Sequence, residues 1–198
     1  MSIFIEQSYL SECFKGLSAK ALSFTEIVFE DCLFEDCDFS HSAFINSKFI
    51  DCEFKQCNLS LCDISQTQFI DVNFVACKLV GIDWTRAYWP NLSLGSPIKF
   101  TECTLNDSSF FGLSLKALVL AECKVHHVDF RQGDFNHANF SYSDFSESLF
   151  NKTDLHHADF TEASQYLINI HYNIVNGAIF SRYQALNLLE GLDITLID

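Results

Sequence analysis

Eight of the nine cysteines have a spacing that could be read as chemistry. Cys32, Cys37, Cys52, Cys57, Cys62, Cys77, Cys103 and Cys123 recur mostly at intervals of 5, 15 and 20 residues. Thiolates can ligate zinc or close disulfides, but zinc ligands usually come in C-x₂-C pairs, which these intervals do not make. Each of the eight lies two residues before a large apolar residue. The same slot elsewhere holds Ser42, Ser47, Thr67, Val72, Ala87, Ser108, Val128, Gly133, Ala138, Ser143 and Ala158. A slot shared by Cys, Ser, Ala and Gly selects for size, so the cysteines read as small buried hydrophobes. The histidines avoid the apolar positions. His137 and His157 are 20 residues apart and would stack in a repeat of that length. A stacked pair can bind a metal, but no third ligand accompanies it, so surface histidines are expected and no metal or cofactor is assigned. The chain has no Gly-rich phosphate loop, G-x-S-x-G, H-E-x-x-H or C-x-x-C. Nothing points to an enzyme.

Carboxylates are the remaining candidates. The chain carries 26 acids against 12 bases, a formal charge of −14 over 198 residues. Such a surface repels nucleic acid and membranes and attracts basic surfaces. Between 26 and 53 lie Glu26, Glu30, Asp31, Glu35, Asp36, Asp38, Asp51 and Glu53, with Lys48 the one base. Asp31, Asp51 and Asp71 follow at steps of 20, with Asn91 next. Stacked at about 5 Å, such carboxylates repel by about 1 kcal/mol each in a water-like dielectric. Aspartate is also common at exposed repeat positions, so the ladder can be ordinary decoration or a partner-binding face comprising Glu30, Asp31, Glu35, Asp36, Asp51 and Asp71.

What must position these groups is a five-residue beat. Phenylalanine returns at 24, 29, 34, 39, 44, 49 and 54, and the phase continues through Leu59, Ile64, Phe69, Phe74, Leu79, Trp84, Trp89 and Leu94. It slips by one residue after Gly95-Ser96-Pro97-Ile98-Lys99 and runs again from Phe100 to Phe160. All 28 positions are apolar, and 17 of the 21 phenylalanines occupy them. Neither a helix nor a single strand keeps such a beat on one side, so the chain is a repeat array. The sequence divides into an irregular N-terminal coil or cap over 1–23, a repeat over 24–180 with its slip at 95–99, and a C-terminal segment over 181–198. In that last segment Ser181 to Gln184 reads as a capping box, and Ala185, Leu186, Leu188, Leu189 and Leu192 as a helical apolar stripe ending at Gly191. Asp193 to Asp198 alternates like a short strand. The surplus of apolar residues there suggests a two-fold dimer contact through Leu186, Leu189, Leu192, Ile194 and Leu196. No run of about 18 apolar residues is present, and the N-terminus lacks a signal-peptide pattern, so a cytoplasmic protein is expected.

Units such as Cys-Asp-Phe-Ser-His (37–41) and Ala-Asn-Phe-Ser-Tyr (138–142) resemble the pentapeptide-repeat consensus A-(D/N)-L/F-x-x over nearly the whole chain. The resemblance implies an all-β fold, a right-handed quadrilateral β-helix of 20-residue coils, with a short C-terminal helix. The central Phe or Leu and the preceding small residue would point inward. About eight coils at about 4.8 Å make a rod of about 40 Å. The segment Cys77 to Pro90 and the ending Asp193-Ile-Thr-Leu-Ile-Asp198 are similar to albicidin-resistance and Qnr-type proteins, which act on DNA gyrase and dimerise C-terminally. That similarity implies a homodimer that binds gyrase, or topoisomerase IV, as a DNA mimic. DNA carries one charge per about 1.7 Å. A dimer of twice −14 over about 80 Å carries one per about 3 Å. Qnr proteins carry sizeable projecting loops where this chain shows a one-residue slip, so no loop residue is transferred. The alternative is a structural or protein-interaction scaffold with no topoisomerase role.

Overall fold

A computed structural model describes residues 3–90, 96–189, 192 and 194. The chain winds as a four-sided right-handed β-helix of about eight coils. Every strand pairing is parallel. One face is built from Ser8–Leu10, Val28–Glu30, Lys48–Ile50 and Gln68–Ile70. The next is a six-stranded sheet from Cys13–Lys15 through Leu33–Glu35, Glu53–Lys55, Val72–Val75 and Ile98–Thr101 to Val119–Ala121. The other two faces are held mainly by single bridges such as Asp38↔Asn58 and Asp129↔Leu149.

The beat becomes a core because each pentapeptide covers one side of the square. The central residue enters and the chain turns the corner two residues later. Phenylalanines from successive coils stack: Phe34 on Phe54 at 4.5 Å with an 8° interplanar angle, and Phe130 on Phe150 at 5.0 Å and 6°. Neighbouring faces meet edge to face, as with Phe29 and Phe34 at 5.2 Å. These are the two ring geometries that the aromatic quadrupole favours.

The corner residue sits in the left-handed region. Asp31, Asp51 and Asp71 have φ of 52°, 51° and 50°. Asp, Asn and His tolerate that conformation better than most side chains. In return the corner N–H joins the ladder, as in Asp31 N–H to the Ile50 carbonyl at 2.9 Å.

The inward slot before each central residue does more than fit. Its thiol or hydroxyl donates to the carbonyl of the central residue 23 positions back, on the preceding side of the previous coil: Cys57 to Phe34 at 3.4 Å, Ser143 to Leu120 at 2.9 Å and Thr153 to Phe130 at 3.1 Å. Buried carbonyls need partners, so the slot prefers a small donor where the ladder leaves one open. Cys37, Cys57, Cys77, Cys103 and Cys123 stack on five successive coils of one face. Each backbone N–H from Cys37 to Cys103 donates to the thiol of the next at 3.3–3.4 Å.

Two features differ from the sequence reading. Tyr88 pairs with Gln68, 20 residues away, whereas Ile98 pairs with Val72 and Phe100 with Phe74, both 26 away. Six residues are therefore added between Tyr88 and Ile98, where the phase shows one. A five-residue phase is blind to one whole additional unit. Trp89 is still in register and stacks on Phe69 at 6.0 Å, while Leu94 lies outside the described residues.

At the C-terminus, Gln184–Leu189 is a 3₁₀ helix with no buried residue, rather than a buried capping helix. Ser181 does not close a capping box onto it. Its hydroxyl accepts from Glu162 N–H and donates to the Glu162 carboxylate, both at 2.8 Å. Leu188 packs against the core, and Leu189 and Leu192 are half-buried. Leu186 and Ile194 are exposed. Leu196 and the proposed stop at Gly191 lie outside the described residues, as does most of the Asp193 to Asp198 strand. In the last coil Ile168 is the inward residue, 2 % exposed, whereas Ile170, which keeps the sequence phase, is 37 % exposed. Val175 and Phe180 do pack on the core.

Candidate partner-binding face

The coils sort the acids into two groups. Asp38, Asp63, Asp83, Asp129, Asp134, Asp144, Asp154 and Asp159 precede a central residue and accept the N–H two positions on, at 2.8–3.2 Å. These are local turn locks of the Asx type. In Asp38, Asp129 and Asp144 burial alone would raise the carboxyl pKa. Hydrogen bonds from Ser40 and Lys20, from Arg131, and from Ser146 and His126 outweigh it and hold these groups below the ordinary value. The sequence signal for this group was present in pairs such as Asp38–Ser40 and Asp159–Thr161, flanking a central phenylalanine.

The second group points outward without such locks. Asp31, Asp51 and Asp71 stand on one edge of the rod in successive coils, all exposed. Glu30 is their exposed neighbour. Asp36 occupies the next corner, across the face that carries Glu35. Among the described residues Glu30, Asp36, Asp51 and Asp71 make no ion pair, and Asp31 accepts from the Ser11 hydroxyl at 2.7 Å. Glu35 differs. Lys15 holds it at 2.9 Å, and Lys55 is its partner on the following strand. The coils thus leave five of the six predicted acids as available charge, Glu30, Asp31, Asp51 and Asp71 at one edge and Asp36 at the next, and pair the sixth with Lys15. Asn91, its expected continuation, lies outside the described residues.

His137 and His157 stack at 4.8 Å with a 15° interplanar angle. Parallel rings keep their nitrogens from converging on one ion. Among the described residues no group of three His, Cys, Asp or Glu is arranged to hold a metal. No helix among them is long and apolar enough to cross a membrane.

A family model described as a pentapeptide repeat region matches residues 27–97 and 82–160. The chain belongs to the pentapeptide-repeat family. No curated protein matches it. Among solved pentapeptide-repeat structures, trypsin-treated QnrB1, a plasmid-mediated fluoroquinolone resistance protein, is similar with a TM-score of 0.57 at 20 % identity, over 98 % of this chain and all of that one. HetL, involved in heterocyst differentiation regulation in the cyanobacterium Nostoc, has the same TM-score at 14 % identity, over 89 % of this chain and 88 % of that one. At these identities the likeness is one of fold.

Proposed function

We propose that this pentapeptide-repeat protein binds DNA gyrase as a DNA mimic and protects it from a gyrase-targeting toxin or antibiotic of the albicidin or quinolone type. Topoisomerase IV is the related target to test beside it. The observation that carries the reading is the Asp31, Asp51, Asp71 ladder. It is a row of exposed carboxylates at the spacing of the coils, free of lysine or arginine partners among the described residues. Surface charges that repel one another and have no counter-charge beside them fit a partner that brings it. The exposed Leu186 and Ile194 support a homodimer through the C-terminus.

The test replaces Asp31, Asp51 and Asp71 with lysine. The corner tolerates that side chain, since Lys152 already occupies an equivalent corner at φ 55°. Gyrase pull-down and supercoiling, with and without a fluoroquinolone, are compared at two salt concentrations. Binding should vanish in the triple variant while its melting temperature holds. Wild-type binding should weaken steeply with salt, because it replaces phosphate contacts. Undiminished binding by the triple variant removes this face from the reading.

The equal fold similarity to HetL, which is involved in heterocyst differentiation regulation, favours a second reading as a protein-interaction scaffold. No effect on gyrase at micromolar protein would select it.

A further inference from the structure

The last coils break the 20-residue ladder in a way that opens a groove. Asp144 pairs with Ser164 and Asp154 with Ile174, each 20 residues on, but between them Phe150 pairs with Ile168, only 18 on. One corner is thus two residues short, beneath Glu147, and the next is two residues long, beneath Lys152. A cavity of about 740 Å³ lies at this place. That is within the usual range for small-molecule sites.

Its lining is unlike the rest of the surface. Arg131 is fixed on one wall. Its Nε and Nη2 donate to Asp129 at 2.9 and 2.7 Å, and its guanidinium lies 5.8 Å over the Phe111 ring. Its other terminal nitrogen has no partner among the described residues, and neither does the Lys152 ammonium. Two cations therefore face one cavity on a chain of net charge −14. Leu149 and Leu167 line the same cavity, 48 % and 56 % exposed. Exposed leucines beside an unpaired ammonium and a guanidinium with one free terminal nitrogen suit a ligand with an apolar body and an anionic end. Glu147 also lines it and is held at 3.3 Å by His127. Its charge disfavours a dianion such as phosphate.

We infer that this groove binds a small amphipathic monoanion, its carboxylate or sulfonate on Lys152 and Arg131 and its apolar body on Leu149, Leu167 and Phe111. The site stands on other coils than the acidic corner and does not depend on gyrase binding.

The full-length protein is titrated with 8-anilinonaphthalene-1-sulfonate, followed by fluorescence, beside Lys152→Asn and Leu167→Ser. Asparagine suits the left-handed corner at Lys152, and both positions are exposed, so unchanged melting curves verify the fold. One saturable site is expected, weakened about tenfold or more in each variant, which is the scale of one lost charge or apolar contact. The aromatic acid 4-phenylbutyrate should displace the dye, and 4-phenylbutanol and inorganic phosphate should not. Wild-type affinity in both variants, equal displacement by the alcohol or by phosphate, or no saturable binding at millimolar dye would each overturn the inference.

Discussion

Raising the pH should unfold this protein through its buried thiols. Burial pushes the Cys52 and Cys62 thiols up to about 12. Cys77 and Cys103 also reach about 12, chiefly because each hydrogen-bonds to the next thiol of the ladder, with burial adding to it. Cys57 reaches about 12 as well, with Cys37 pulling it down and Cys77 and burial pushing it up more strongly. A group whose folded pKa is raised stabilises fully below its unfolded value, about 8.5 for a thiol, and loses that contribution as pH climbs towards the folded value. At about pH 9.5 the unfolded chain has ionised most of each of these thiols while the native chain has not, which costs about 1–1.5 kcal/mol per thiol. Cys37 is pushed up further still, first by its hydrogen bond to Cys57 and then by burial. Six thiols then cost about 6–9 kcal/mol, the order of a whole domain's stability. Urea unfolding at pH 7 and 9.5, followed by circular dichroism under reducing conditions, measures the loss. The control is Cys57→Ser, Cys77→Ser and Cys103→Ser together. Serine keeps the donor, fits a slot that Ser42, Ser108 and Ser143 already fill, and does not titrate in this range. With Cys37, Cys52 and Cys62 left, three of the six, the loss should shrink by half, to about 3–5 kcal/mol. Other titrations are common to both chains and cancel in the comparison. Equal losses in the two chains, or no loss in the wild type, would refute the reasoning.

Three further outcomes follow from the same contacts. Iodoacetamide at neutral pH should label one thiol per native chain, Cys13, and all nine in urea, because the other eight are buried; mass spectrometry counts the adducts, and several native adducts would contradict the ladder. Gly133→Ala puts a Cβ 2.4 Å from the Phe135 ring and 3.1 Å from the Leu113 carbonyl, so urea denaturation should show a loss of about 1–3 kcal/mol, whereas alanine is the native slot residue at Ala138 and Ala158. The depressed carboxyls of Asp38, Asp129 and Asp144 contribute stability above the ordinary aspartate value, about 3.9, and lose it as pH falls below that; Asp129→Asn should flatten part of the acid limb in urea midpoints taken between about pH 5 and 2.5.

The sequence misleads where two coils have to be compared. Glu35 reads as part of the acidic face because Lys15 is 20 residues away and only the ladder brings it to 2.9 Å. The helical stripe after Ser181 has the right spacing, but the Ser181 hydroxyl is taken by Glu162 from the coil before. Ile170 keeps the phase and Ile168 holds the core position, because the last coil is shortened at one corner and lengthened at the next.

The five-residue beat by itself determined a repeat array with a small slot before each large apolar residue, and the family resemblance of its units implied the β-helix, the inward phenylalanines and the column of Asp31, Asp51 and Asp71. Each follows from the stereochemistry of one pentapeptide and is repeated wherever the unit is. The 26-residue coil, the hydrogen-bonding duty of the thiols, the neutralised Glu35 and the groove beside Lys152 were decided only by the tertiary structure. They depend on register between coils, and a repeated phase carries no count of how many residues lie between one coil and the next.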